Sequence, residues 1–94
     1  LQAVCCSSDT LAQGVMVEAL ARGMRVPQDL AICGFGDAEF AAHTVPSIST
    51  VHVDGPGIGR LAAQIIVSRS RGEQVAQTVH DLGFRLIERQ STGG

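Results

Sequence analysis

Short apolar runs alternate with amphipathic segments along this chain, and their order predicts an α/β fold. Ala3–Cys6 and Leu30–Phe35 have the length and continuity of buried strands, whereas residues 11–22 place apolar side chains at helical spacing. Ser7–Thr10 supplies side chains that can cap the start of this helix, and Gly23 is well placed just after its end. A strand, a helix and a strand within about thirty residues form a right-handed βαβ unit with parallel strands.

The second half of the chain continues the alternation. Ser49–Val53 alternates and is β-branched, which predicts a third strand, and Ile58–Ser70 has the spacing of a second amphipathic helix. Thr78–Leu82 and Phe84–Arg89 are predicted to be strands, and the polar Gln90–Gly94 is expected to fray. This order predicts an open, parallel α/β sheet, whose ligands bind outside the carboxyl ends of the strands.

Two polar segments follow the first two predicted strands, Ser7–Asp9 and Gly34–Asp37. Because the carboxyl ends of parallel strands meet at one edge of a sheet, both segments are expected to face one cleft. Gly36 suits a tight turn with positive φ, and Asp37 is a candidate cap for a helical turn that follows it. Asp9 is a candidate cap of the first helix.

The residues do not favour catalysis or cofactor binding. Gly34 and Gly36 lack the third glycine of a dinucleotide fingerprint, so no cofactor is expected. The histidines lie far apart and the three cysteines are odd in number, with no spacing typical of a metal site or a disulfide framework. The chain is therefore predicted not to be an enzyme, although a small α/β enzyme using Cys6, Asp37 or a histidine remains an alternative.

The composition also argues against a nucleic-acid-binding or membrane-spanning protein. The seven basic residues are all arginines scattered along the 94 positions, the formal net charge is −2 and aromatic residues make up 3% of the chain. Such a chain lacks the basic patches and stacking surfaces that bind nucleic acid. No apolar run is long enough to span a membrane. The first residues lack an initiator Met and are interpreted as the middle of a longer chain.

Taken in order, several motifs resemble the effector-binding core of LacI/GalR-type bacterial transcriptional repressors, specifically its C-terminal part. The motifs that carry the resemblance are Ser8-Asp9, Ala12-Gln13-Gly14, Gly23–Asp29, Gly34–Asp37, Pro46–Val51 and Gly59-Arg60. The resemblance implies a parallel-sheet, periplasmic-binding-protein-like (type I) α/β fold, with this chain contributing to both of its subdomains. Residues of about 1–51 and 84–90 would belong to the C-terminal subdomain, and about 54–76 to the N-terminal one.

The same resemblance implies partners. A small-molecule effector, a sugar or sugar acid, and a second copy of the chain would bind here in a cytoplasmic homodimer. DNA would be bound only through an N-terminal domain outside this chain, and no membrane is involved. Because these residues would be parts of two lobes, they are expected to fold poorly by themselves.

The resemblance also assigns site residues. The residues that match its effector pocket are Ser8, Asp9, Phe35, Gly36 and Asp37, and those that match its dimer surface are Leu11, Gln13, Gly14, Val17, His43 and Thr44. Many relatives carry an acid at the position of Gly36, and its loss lowers repulsion toward an anionic ligand. Cys5–Asp9 and Asp81–Phe84 resemble the gluconate-repressor branch, so gluconate or a related aldonate is the expected effector. A periplasmic sugar-binding protein of a transport system is the alternative.

Overall fold

The computed structural model describes residues 2–73 and 83–93, and it divides into two units. The first unit comprises Leu1–His52 and Arg85–Gly94, and the second comprises Val53–Phe84. The predicted strand Thr78–Leu82 lies outside the described residues.

The first unit opens with the predicted βαβ motif. Strand β1 (Gln2–Cys5) and strand β2 (Leu30–Cys33) pair in parallel, with Cys5 opposite Cys33, and helix α1 (Asp9–Ala21) connects them. Ser8, not Asp9, caps α1, since its Oγ accepts a hydrogen bond from the backbone N–H of Leu11 at 3.2 Å. The prediction that Asp9 caps the helix is therefore wrong, and its carboxylate serves another purpose. Gly23 follows the C-cap with φ 79°, as expected.

The second strand pair differs from the prediction in direction. Strand β3 (Thr50–His52) lies beside the end of β2, where a parallel bridge joins Cys33 and Ser49. Strand β4 (Arg85–Ile87) pairs antiparallel with β3, whereas the alternation of strand and helix in the second half of the chain favoured a parallel pair. The chain leaves the unit at His52 and re-enters it at Arg85, the residue paired with His52, so β4 runs back along β3.

The core of the first unit lies between α1, β2 and the segment before β3. Its buried apolar residues are Ala12, Met16, Ile32, Ala41 and Ile48. A 3₁₀ helix (Glu39–Ala42) supplies Ala41, which confirms the helical turn expected at Phe40–Ala42. No side chain caps this turn, so the prediction that Asp37 caps it is wrong. β1 is mostly exposed rather than buried as predicted, because β2 is its only strand neighbour among the described residues.

The second unit contains helix α2 (Gly55–Ser70). It begins three residues before the predicted Ile58, because the Asp54 Oδ1 caps it by accepting from the Gly57 N–H at 3.0 Å. Pro56 fits this first turn, where no helical N–H bond is lost. None of its residues is buried, and Ile58, Ile66 and Val67 are exposed. Neither described helix is long and apolar enough to cross a membrane.

Candidate functional site

Asp9 joins the two polar segments that follow β1 and β2, as the strand order predicts. Its backbone N–H donates to the Phe35 carbonyl at 3.1 Å, and its Oδ2 accepts from the Ala38 N–H at 2.6 Å. The Thr50 hydroxyl donates to its Oδ1 at 2.7 Å. The residue is 2% exposed. Its hydrogen bonds therefore hold together, inside the protein, the start of α1, the turn after β2 and strand β3.

Gly34 leaves the space that the Asp9 carboxylate occupies. A Cβ built on Gly34 would overlap the Oδ1 of Asp9 and crowd its Cα. The Gly34 N–H donates to the Ser49 carbonyl at 2.8 Å, which also fixes the backbone beside β3. The first glycine of the Gly-x-Gly pair is thus required by close packing against Asp9.

Asp37 is held by three groups at the carboxyl end of β3. Its backbone N–H donates to the Thr50 Oγ1 at 3.1 Å. Its Oδ1 accepts from the Arg89 Nη2 at 3.0 Å, and its Oδ2 lies 3.0 Å from the Nδ1 of His52. The residue has φ 56°, a left-handed conformation that Asp tolerates better than most residues.

The environment of Asp37 changes its acidity. Partial burial acts to raise the pKa of this carboxyl, but the hydrogen bonds and charges of Arg89 and His52 together outweigh burial and hold the pKa below its usual value. Asp37 is therefore an ionised carboxylate with both oxygens occupied.

Arg89 was not predicted as a site residue, and the segment after it was expected to fray. Instead Gln90–Thr92 forms a 3₁₀ helix, and Ser91 is fully buried. The Ser91 hydroxyl donates to the Ile32 carbonyl at 2.6 Å. The second Arg89 nitrogen, Nη1, donates to the Ile48 carbonyl at 3.0 Å, so the guanidinium is fixed on both sides.

His52 and Thr50 were also missed as site residues, since a lone strand histidine is usually structural. The alternation of β3 carried a usable signal: Thr50 and His52 are two positions apart and share one face of the strand. That face meets the Gly34–Asp37 turn.

The remaining predicted effector residues lie on the outer surface of this turn or beside it. Phe35 is 45% exposed, and a Cβ at Gly36 would meet no atom within 4 Å. The Gly36 N–H donates to the Val51 carbonyl at 2.9 Å, and its φ of 112° favours glycine. The Ser8 hydroxyl is used in capping α1. Open space therefore adjoins Gly36, while Asp9 and Asp37 are committed to internal contacts.

The predicted dimer residues on α1 lie along or beside a shallow apolar groove of about 530 Å³. Leu11 and Gly14 line it, whereas Val17 lies outside it with 59% exposure and Gln13 is half-buried. The groove is lined by Thr10, Leu11, Gly14, Val15, Glu18, Ala19, Arg22, Met24 and Leu30. His43 is exposed and Thr44 half-buried, and neither lines the groove.

Comparisons with known proteins place this geometry in a family. Residues 2–92 match the model of the periplasmic binding protein-like domain. The HTH-type transcriptional regulator GntR of Pseudomonas aeruginosa is 40% identical over 90% of this chain and 25% of its own length. The chain thus spans about a quarter of that curated relative.

Two solved structures of transcription regulators are also similar to this chain. The transcription regulator GntR from Chromobacterium violaceum superposes with a TM-score of 0.81 at 39% identity, over 98% of this chain and 34% of that one. A LacI-type transcription regulator from Bifidobacterium animalis subsp. lactis superposes with a TM-score of 0.83 at 32% identity, and the match covers 97% of this chain and 32% of that one. These relatives are named as transcription regulators, which agrees with the prediction that the chain is not an enzyme.

The predicted periplasmic-binding-protein-like α/β fold and the family resemblance are both confirmed. The chain belongs to the periplasmic binding protein-like family, and its sequence is similar to those of GntR and LacI-type transcription regulators.

Proposed function

We propose that this chain is the effector-binding and dimerisation region of a bacterial LacI-type DNA-binding repressor that responds to gluconate or a related sugar acid. The proposal assigns DNA contact to a domain outside these residues and places the regulator in the cytoplasm. Effector binding would act by shifting the population of two conformations of the repressor, since a ligand favours the state that it binds better.

One observation carries the proposed effector class: the turn after β2 presents no free carboxylate. The carboxylate of Asp37 is paired with Arg89 and hydrogen-bonded to His52, and the position before it is Gly36. A second acid at that position would repel an anion over a short distance, where charges interact strongly. The absence of a second acid at this position favours an anionic ligand over a neutral sugar.

The proposed site residues then divide by role. Phe35 and Gly36 form the exposed surface of the turn and are proposed to contact the effector. Asp37 and Asp9 are proposed to shape the site by holding the turn, because their oxygens already accept internal bonds. Ser8 fixes the start of α1 beside them.

The proposed dimer surface is the outer face of α1. Leu11 and Val17 are 56% and 59% exposed, and Leu20 is 42% exposed, so one helix displays three large apolar side chains. Gly14 lies among them with open space above its Cα, where a second backbone could approach closely. Gln13, His43 and Thr44 complete the proposed surface.

Isothermal titration calorimetry on the whole regulator tests the effector class. We expect binding of gluconate and much weaker binding of glucose or adenine. Binding of the neutral hexose or the purine without binding of gluconate would contradict the proposal.

A further inference from the structure

His52 and Arg85 lie directly opposite each other in the β3–β4 pair. Residues in register on antiparallel strands project their side chains from the same face, with Cβ atoms about 4.5–5.5 Å apart. Two basic side chains thus share one face of the sheet, at the end where β3 finishes and β4 begins.

Asp37 fixes the orientation of the His52 ring. Its Oδ2 lies 3.0 Å from Nδ1, so a proton on Nδ1 is donated to the carboxylate and Nε2 is left at the other side of the ring. Within residues 2–73 and 83–93, Nε2 has no hydrogen-bond partner, and the side chain is 44% exposed. The ring is positioned by the protein yet keeps one nitrogen for a ligand.

Arg85 differs from the other arginines of the first unit. Arg22, Arg25 and Arg89 each pair with a carboxylate, of Glu18, Asp29 and Asp37 respectively. The exposed Arg85 guanidinium has no ion pair or hydrogen bond within the described part of the chain. Both oxygens of Asp37, the acid that is hydrogen-bonded to His52, are already taken by Arg89 and His52.

We propose that His52 and Arg85 together bind the carboxylate of the effector and so determine its specificity for an acid. The inference rests on the proposed function, because it assigns residues to the acid group of that effector. Arg85 would supply the planar, bidentate fork that matches a carboxylate, and His52 would add a donor from Nε2 when its ring is protonated. Gly36, which precedes Asp37 in the turn, adds no competing acid.

The charges around His52 leave one cation for a ligand. Among the described residues, the charged groups on its face are Asp37, Arg89 and Arg85, with Asp9 behind Thr50. Because Asp37 and Arg89 form an ion pair with each other, Arg85 is the charge on this face that remains for an acid group.

The test compares gluconate with gluconamide, which carries an amide in place of the carboxylate, by calorimetry on the whole regulator. Arg85→Met and His52→Gln are each expected to weaken gluconate binding about tenfold to a hundredfold, as loss of a charged hydrogen bond does, and to change gluconamide binding less than about twofold. Arg85→Lys should restore part of the loss. Arg25→Met is the matched control, since Arg25 precedes the first residue of β2 and pairs with Asp29, so its replacement should leave both affinities unchanged.

The outcomes separate this inference from the proposed function. Wild-type binding of gluconate with an equal loss for both ligands, or no loss, in the two variants would overturn the assignment of His52 and Arg85 alone. A wild-type regulator that binds no gluconate would overturn the proposed effector class and this assignment with it. A loss of gluconate affinity in both variants, with gluconamide affinity retained, supports both residues in the roles given.

Discussion

Asp37 and Arg89 form an ion pair across 52 positions of the sequence, with Oδ1 and Nη2 3.0 Å apart. Their side chains are only 20% and 17% exposed. The pair ties the turn after β2 to the segment after β4, while Thr50 holds the backbone of the same turn. The geometry of the candidate site therefore depends on the last residues of the chain.

Arg89→Met is expected to destabilise the whole protein by about 1–3 kcal/mol, because it leaves a largely buried carboxylate without its strongest donor and removes the bond to the Ile48 carbonyl. Urea unfolding monitored by circular dichroism measures the loss. Arg25→Met serves as the control, since its pair with Asp29 is exposed and should contribute little. Equal losses of unfolding free energy in the two variants would show that the Asp37–Arg89 pair stabilises the protein no more than an exposed pair does.

The lowered pKa of Asp37 predicts a loss of stability in acid. A carboxyl with a folded-state pKa below its unfolded value, which is about 3.9 for Asp, stabilises the fold fully above that unfolded value. This contribution disappears as pH falls through the lowered folded value. The difference in unfolding free energy between wild type and Asp37→Asn should therefore be constant near neutrality and shrink below about pH 4. Asn keeps the size of the side chain and tolerates the left-handed backbone, and a difference that is independent of pH would contradict the argument.

Much of this geometry follows from the sequence by topology alone. Two apolar runs joined by a helix implied parallel strands, and parallel strands implied that Ser7–Asp9 and Gly34–Asp37 meet. The hydrogen bond from the Asp9 N–H to the Phe35 carbonyl shows that they do. Local periodicity and one general rule about sheets were sufficient for this step.

The roles of individual polar residues could not be read locally. Ser8 and Asp9 are equally able to cap α1, and the choice is decided by bonds of Asp9 to Ala38 and Thr50, which are 29 and 41 positions away. Ser91 lies in a polar tail without periodicity, yet it is fully buried, and its hydroxyl donates a hydrogen bond to the carbonyl of Ile32, 59 positions away. Long-range hydrogen bonds of this kind leave no pattern in a short window of sequence.

Gly34→Ala is expected to destabilise the protein by about 1–3 kcal/mol, since the added methyl group would overlap the Asp9 carboxylate in a closely packed region. Gly59→Ala is the matched control: it lies within α2 with open space around it and should raise helix stability by about 0.5–1 kcal/mol. Urea unfolding reports both changes. Combining Gly34→Ala with Asp9→Ala should cost less than the sum of the single changes, and strict additivity would exclude a clash between these two residues.

Gly36→Asp and Gly36→Asn separate charge from backbone strain. A Cβ at position 36 meets no atom within 4 Å, and both replacements carry the penalty of a φ of 112°. Only Asp adds a negative charge, so it should weaken gluconate binding about tenfold more than Asn does, while the two variants bind gluconamide equally. Calorimetry with both ligands decides the matter, and equal effects of Asp and Asn on gluconate would mean that Gly36 serves only the backbone.

Val17→Asp is expected to weaken the proposed dimer, because it places a charge among the exposed apolar side chains of α1. If a second copy covers this face, the charge must be buried without a partner, and the dimer dissociation constant should rise at least about tenfold. Ile66→Asp is the control: Ile66 is 69% exposed on α2, outside the proposed dimer surface, and its replacement should leave the constant unchanged.

Gly14→Ala is a second test of the same surface. The added Cβ meets open space within the chain and should stabilise α1, yet it would obstruct a partner helix that approaches closely and so weaken the dimer. Sedimentation equilibrium on the whole regulator measures each constant, and an unchanged dimer in both Val17→Asp and Gly14→Ala would place the dimer contact on another surface.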